Sequence, residues 1–226
     1  TGTVNVSEGA TITTVMESSN IVGTLNVDGT MNGVMTVYAG YTGGQFTNGA
    51  QAGEVNINGT GTVNTSIMTI GTAVRDDDKY NAAAFAGSST TASVIVDGGT
   101  LNATGFEGEL TSKLLVGSDD FAGILTGKNG AKINVGERSA NGTGYMRFVI
   151  GTQGTLSLTD STLTVYNLGG TNNSDKGIFE NSGTISMDLD SLITTATVLN
   201  NLGTITVDMT GADEDSGVYK LVDYTG

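Results

Sequence analysis

The chain has 226 residues, 35 of them glycine, and contains no proline, cysteine, histidine or tryptophan. A formal net charge of −14 argues against nucleic acid, whose phosphates call for clustered Lys and Arg, and against an anionic membrane surface. Without Cys or His there is no disulfide framework, no thiolate or imidazole metal site, and no Ser-His-Asp or Cys-His nucleophile.

An acidic, glycine-rich chain can be disordered. Here 37% of residues are apolar, many of them β-branched and at alternate positions, which points to folded strands. The chain opens at TGTVNV with no signal peptide, an opening expected of a processed or excised piece of a longer protein. No stretch reaches the ~18 consecutive apolar residues of a membrane-spanning helix, so membrane insertion by this segment is not expected.

From the N-terminus onward the pattern is period-two alternation. Val4 and Val6 flank Asn5, Leu25 and Val27 flank Asn26, and Val55 and Ile57 flank Asn56. Further on, Ile133 and Val135 flank Asn134, Leu156 and Leu158 flank Ser157, Leu163 and Val165 flank Thr164, and Ile205 and Val207 flank Thr206. One side chain of each pair of neighbours faces inward and the next faces water. Asn is a poor strand former alone; its recurrence fits a parallel stack in which amides lie above one another and share hydrogen bonds. Asp28-Gly29, Asn58-Gly59 and Asn129-Gly130 supply positive-φ turns.

The strongest signal is a repeat near the C-terminus. IFENSGTISMDL from Ile178 and VLNNLGTITVDM from Val198 share Asn181/Asn201, Gly183/Gly203, Thr184/Thr204, Ile185/Ile205 and Asp188/Asp208. A strand unit repeated at this period predicts an all-β solenoid of parallel strands, with Ile185 stacked on Ile205. Short strands and the missing prolines fit a coil whose strands all need their amide hydrogens. At ~20–25 residues per rung the chain makes roughly 9–11 rungs, a rod about 45–50 Å long. Residues 1–226 are expected to form a single domain of this kind.

The alternation lapses over Arg75 to Thr91, whose Ala-rich centre suits a helical turn, and over Gly136–Gly144 and Gly169–Lys176. These are predicted excursions from the coil. Long loops on regular scaffolds often carry function, and Arg75, Asp76, Asp77, Asp78, Lys79 and Tyr80 are the candidate binding residues.

MTIGT at Met68, LLVGS at Leu114 and FVIGT at Phe148 open three longer blocks, each continuing into paired strands: VIVDGGTLNA, ILTGKNGAKINV and LSLTDSTLTV. This grammar, with the closing SGVYKLVDYTG from Ser216, resembles the repeats of bacterial autotransporter passenger domains and related repetitive surface adhesins over residues 53–226. The resemblance implies a right-handed parallel β-helix on a bacterial cell surface, anchored to the outer membrane through a region not in this chain. It also implies adhesion to a host glycan or matrix protein, or self-association.

Some β-helices cleave polysaccharides with paired carboxylates. Asp76-Asp77-Asp78, Asp119-Asp120, Asp188 with Asp190, and the aligned Asp188 and Asp208 are the clusters available. Solvated turns account for them better than catalysis, and the absence of Trp with only seven Tyr leaves little for sugar stacking. No catalytic activity is therefore expected. Calcium would be the natural metal for Asp76–Asp78 or for Asp213, Glu214 and Asp215, but neither has a calcium-loop spacing, and no cofactor or metal is expected. Thr11-Ile12-Thr13, Thr162-Leu163-Thr164 and Thr204-Ile205-Thr206 each direct two hydroxyls outward; Asn5, Asn26, Asn56 and Ser157 at equivalent positions make any water-organising array irregular.

Overall fold

The computed structural model describes residues 2–14, 19–40, 52–73, 90–104, 111–136, 145–166, 168, 177–212 and 218–225. They form strands only, arranged as three parallel sheets that each coil visits in turn. Sheet 1 stacks β1 (Gly2–Val6), β4 (Gly23–Val27), β7 (Glu54–Asn58), β10 (Thr91–Asp97), β13 (Ala122–Lys128), β16 (Gly154–Leu158), β19 (Thr184–Met187) and β22 (Thr204–Val207). Sheet 2 stacks β2 (Thr11–Thr13), β5 (Thr30–Asn32), β8 (Thr62–Thr65), β11 (Thr100–Ala103), β14 (Ala131–Val135), β17 (Ser161–Val165), β20 (Leu192–Thr195) and β23 (Val222–Tyr224). Sheet 3 stacks β3 (Ser19–Ile21), β6 (Met35–Gly40), β9 (Ile67–Ala73), β12 (Thr111–Val116), β15 (Tyr145–Ile150), β18 (Ile178–Asn181) and β21 (Leu199–Asn201). The fold is a parallel β-helix.

The rung count differs from the sequence expectation. Among the described residues the two longer sheets have eight strands each rather than 9–11, and at ~4.8 Å per strand that stack is about 35 Å long. Coil length is the reason. Equivalent asparagines are 20 residues apart at Asn181 and Asn201 and 21 at Asn5 and Asn26, but 38 at Asn64 and Asn102. The register of the described strands is kept across these unequal steps. Of the excursions expected over Arg75–Thr91, Gly136–Gly144 and Gly169–Lys176, residues 75–89, 137–144 and 169–176, with the helical turn, lie outside the described residues, whereas Thr91 already belongs to β10.

Parallel stacking puts like residues in columns. Leu25, Val55, Val94, Leu125, Leu156 and Ile185 follow one another in register along the inner face of sheet 1, and all are buried. Ile185 pairs with Ile205 as the repeat predicts, although Ile205 sits on the outermost strand of its sheet and is 41% exposed. The blocks MTIGT, LLVGS and FVIGT also align: Met68, Leu114 and Phe148 are register partners in sheet 3. Phe179 extends that column, its ring stacked on Phe148 with centroids 4.8 Å apart and planes 12° from parallel, the offset-stacked kind of geometry that aromatic pairs favour.

Glycine lets the coils close on one another. At the entry to sheet 1, a Cβ on Gly154 would lie 2.0 Å from the Val116 carbonyl oxygen, and one on Gly203 2.2 Å from that of Gly183. Those sites need the missing side chain, not an unusual φ. Turn glycines between sheets 1 and 2 work differently: Gly59 (φ 54°) and Gly130 (φ 77°) adopt the left-handed region as expected, with Asn129 (φ 56°) beside Gly130. Gly29 does not. It is small because a Cβ there would meet the Ser7 and Ala10 carbonyl oxygens at 2.3 and 2.4 Å.

Candidate interaction surface

Alternation leaves largely polar columns on the outside of sheets 1 and 2. On sheet 2 the asparagines form a ladder: Asn64 donates to Asn32, Asn102 to Asn64 and Asn134 to Asn102, each at 2.8 Å, and Asn32 donates to Thr13 Oγ1 at 3.2 Å. Beside it runs a threonine column of Thr11, Thr30, Thr62 and Thr100, followed by Lys132 and Thr162. Sheet 1 carries a shorter ladder, Asn56 to Asn26 at 3.0 Å and Asn26 to Asn5 at 2.8 Å. The shared amide hydrogen bonds read from the asparagine spacing are thus present. The three threonine pairs singled out in the sequence do not form one array, since Thr11–Thr13 and Thr162–Thr164 lie on sheet 2 and Thr204–Thr206 on sheet 1.

A shallow polar groove of about 310 Å³ crosses the entry to sheet 1, where glycine leaves the backbone bare. Gly23 and Gly53 line it together with the side chains of Thr3, Thr24, Glu54 and Ser93. Glu54 supplies the one carboxylate among these lining residues, and its Oε1 accepts from Asn56 Nδ2 at 2.7 Å. Threonine and serine hydroxyls both donate and accept, so this groove can hydrogen-bond a neutral, hydroxyl-rich ligand along its length.

The carboxylates grouped in the sequence are engaged in separate local hydrogen bonds. Asp188 accepts from the Asp160 backbone N–H, at 3.0 Å to Oδ2, while Asp208 accepts from the backbone N–H and hydroxyl of Thr210 at 2.9 and 2.6 Å. The Thr210 hydroxyl, followed by its backbone N–H, holds the Asp208 carboxyl below the ordinary range. Asp119 and Asp120 are exposed in a bend, where Asp119 accepts from Thr152 Oγ1 at 3.0 Å. Among the described residues no group of three or more acidic side chains could hold a metal ion. Asp213, Glu214 and Asp215 lie outside the described residues, as do the candidate binding residues Arg75, Asp76, Asp77, Asp78, Lys79 and Tyr80. The segment that carries those six residues joins β9 to β10, and β10 supplies Thr91 and Ser93 to the groove.

Two basic side chains escaped notice in the sequence. Lys113 and Arg147 are register partners on the outer face of sheet 3, adjoining the paired Leu115 and Val149. Aligning LLVGS with FVIGT would have found them, because each immediately precedes its block. Elsewhere a cation and an anion meet, as in Lys128 Nζ and Asp97 Oδ2 at 3.0 Å. Among the described residues no helix is long and apolar enough to cross a membrane. No protein-family model, curated protein or solved structure matches the chain.

Proposed function

We propose that the chain is a non-catalytic rod that adheres through its polar lateral faces to a hydroxyl-rich polymer such as a glycan. The groove over the sheet 1 entry carries this reading: its described lining is hydroxyls, bare backbone and a single carboxylate, already hydrogen-bonded to Asn56. Glycoside hydrolysis uses two carboxylates across the scissile bond, so one carboxylate among hydroxyls favours holding a sugar over cleaving it. Rows of hydroxyl and amide groups repeating at about one strand spacing suit weak contacts summed along a polymer. Placement on a bacterial surface, anchored by sequence beyond this chain, rests on the resemblance of the repeat blocks.

A polysaccharide panel tests the reading. Binding is expected without release of reducing ends, and Thr24→Val with Glu54→Gln should weaken it by about tenfold, at ~0.5–1.5 kcal/mol per lost hydrogen bond. Reducing sugar that appears with the wild type and vanishes with Glu54→Gln or Asp188→Ala would establish an enzyme instead. Failure to bind any polysaccharide, cell surface or matrix protein would leave a spacer.

A further inference from the structure

Sheet 1 presents one uncompensated charge, and it lies in the groove. Among the described residues its strands hold a single cation, Lys128, whose Nζ is 3.0 Å from the Asp97 carboxylate on the adjacent strand. Glu54 is the remaining charged side chain of the sheet. It stands in register between Thr24 and Ser93, in a column begun by Thr3. Glutamate is among the residues depleted in strands, and here it replaces a hydroxyl in an otherwise hydroxyl-bearing row.

The asparagine ladder holds that carboxylate in place. Asn56 Nδ2 donates both to Asn26 Oδ1 at 3.0 Å and to Glu54 Oε1 at 2.7 Å. The other oxygen, Oε2, has no partner among the described residues, so the groove contains a fixed negative charge with acceptor capacity to spare. Thr24 and Ser93 flank it on the two adjacent strands, at about 4.8 Å per step, and their hydroxyls also accept. A protonated amine has three donors and no acceptor, which complements a carboxylate set between hydroxyls. An acetylated amine brings one donor and no charge, and a uronate or sulfate would set like charges together. The chain's net charge of −14 acts in the same sense, drawing in a cationic polymer and holding off an anionic one.

The geometry points to a polymer of amino sugars with free, protonated amines as the glycan this groove takes, one ammonium seated on Glu54 between the Thr24 and Ser93 hydroxyls. This selectivity rests on the reading of the groove as a glycan site. Neutral sugars use the hydroxyls alone, whereas the amine adds a charge-assisted hydrogen bond, about twice as strong as a neutral one.

Calorimetric titration of the full chain with soluble hexamers of glucosamine, N-acetylglucosamine, glucose and glucuronate, at low and raised salt, tests the selectivity. The glucosamine hexamer is expected to bind about tenfold tighter than the acetylated one or better, the glucuronate hexamer weakest, with the differences shrinking as salt is added. Glu54→Gln keeps the size of the side chain and an acceptor for Asn56. It should bring the glucosamine hexamer down to the level of the acetylated one and leave the acetylated and glucose hexamers nearly unchanged. Circular dichroism matching wild type verifies the fold. Should Glu54→Gln lose its strand spectrum, Thr24→Lys sets a cation beside the intact Glu54 and should erase the same preference. Equal binding of the glucosamine and acetylated hexamers by wild type, or a preference that survives Glu54→Gln, would overturn the inference while leaving the groove a glycan site. Binding of none of the hexamers would overturn both. Hexalysine bound as tightly as the glucosamine hexamer, with the same dependence on Glu54, would also overturn it, because charge alone would then be recognised.

Discussion

Replacing Gly154 by Ala separates two reasons for glycine that the sequence cannot distinguish. Gly154 has an ordinary φ, yet an added methyl would sit 2.0 Å from the Val116 carbonyl oxygen and 2.9 Å from that of Gly151. The Val116 oxygen also accepts from the Gly151 N–H at 2.9 Å, and the Gly151 oxygen from the Gly154 N–H at 2.8 Å. Relieving the clash must separate two coils. Overpacking costs ~1–3 kcal/mol, and weakening two hydrogen bonds adds ~0.5–1.5 kcal/mol each, so the expected loss is about 3 kcal/mol or more. Gly130→Ala is the control: φ is 77° with nothing within 4 Å of the added Cβ, leaving only the left-handed backbone penalty of ~1–2 kcal/mol. With a urea slope of ~2–3 kcal/mol/M, Gly154→Ala should lower the unfolding midpoint by about 1 M or more, and Gly130→Ala by about half that. Hydrogen exchange should localise the damage to β13, β16 and β19, since coils contact only their neighbours. An equal or smaller loss for Gly154→Ala would show that the coils are not locked by backbone contact at this corner.

Other outcomes follow from the same coordinates. Phe148→Ala removes a fully buried ring and its stack on Phe179, and should cost about 3–5 kcal/mol in chemical denaturation. Asn64→Ala, which cuts the sheet 2 ladder on both sides, should cost about 1–2 kcal/mol, more than Asn5→Ala at the end of its shorter ladder. Lys113 and Arg147 place like charges on adjacent strands, so Arg147→Gln should raise the unfolding free energy by ~0.2–1 kcal/mol at low salt, a gain that shrinks as salt is added. The Asn129 hydrogen bond and then Lys128 hold the Asp97 carboxyl below its ordinary 3.8. Its stabilising contribution is therefore present above pH 3.8 and lost as pH falls through the lower folded value. Carbonyl NMR should show that titration moving back up in Asn129→Ala.

Local signals reported the fold well. Alternation identified the faces of the strands, and the shared Gly-Thr-Ile of residues 183–185 and 203–205 fixed the parallel register of Ile185 on Ile205, because a stacked coil repeats its chemistry at each level. Coil number was not legible: the columns keep their register across unequal sequence steps, so spacing in sequence loses its link to spacing along the rod. Gly29 shows a similar ambiguity, since Asp-Gly suggests a positive-φ turn whereas the position is governed by carbonyl oxygens of the preceding coil. The groove was hidden for a different reason. Thr3, Thr24, Glu54 and Ser93 come from four separate coils, and none stands out from the many threonines and serines around it. The basic pair on sheet 3 required aligning two blocks whose members differ in length.

The columnar register has a genetic corollary. Thr184–Met187 and Thr204–Val207 are register partners through a 20-residue step, so an in-frame duplication of one such unit adds about 4.8 Å of height and buries its own aliphatic residues against both neighbours. Unequal recombination can thus lengthen or shorten the protein without redesigning its interior. Reach becomes a trait that selection can adjust in single increments.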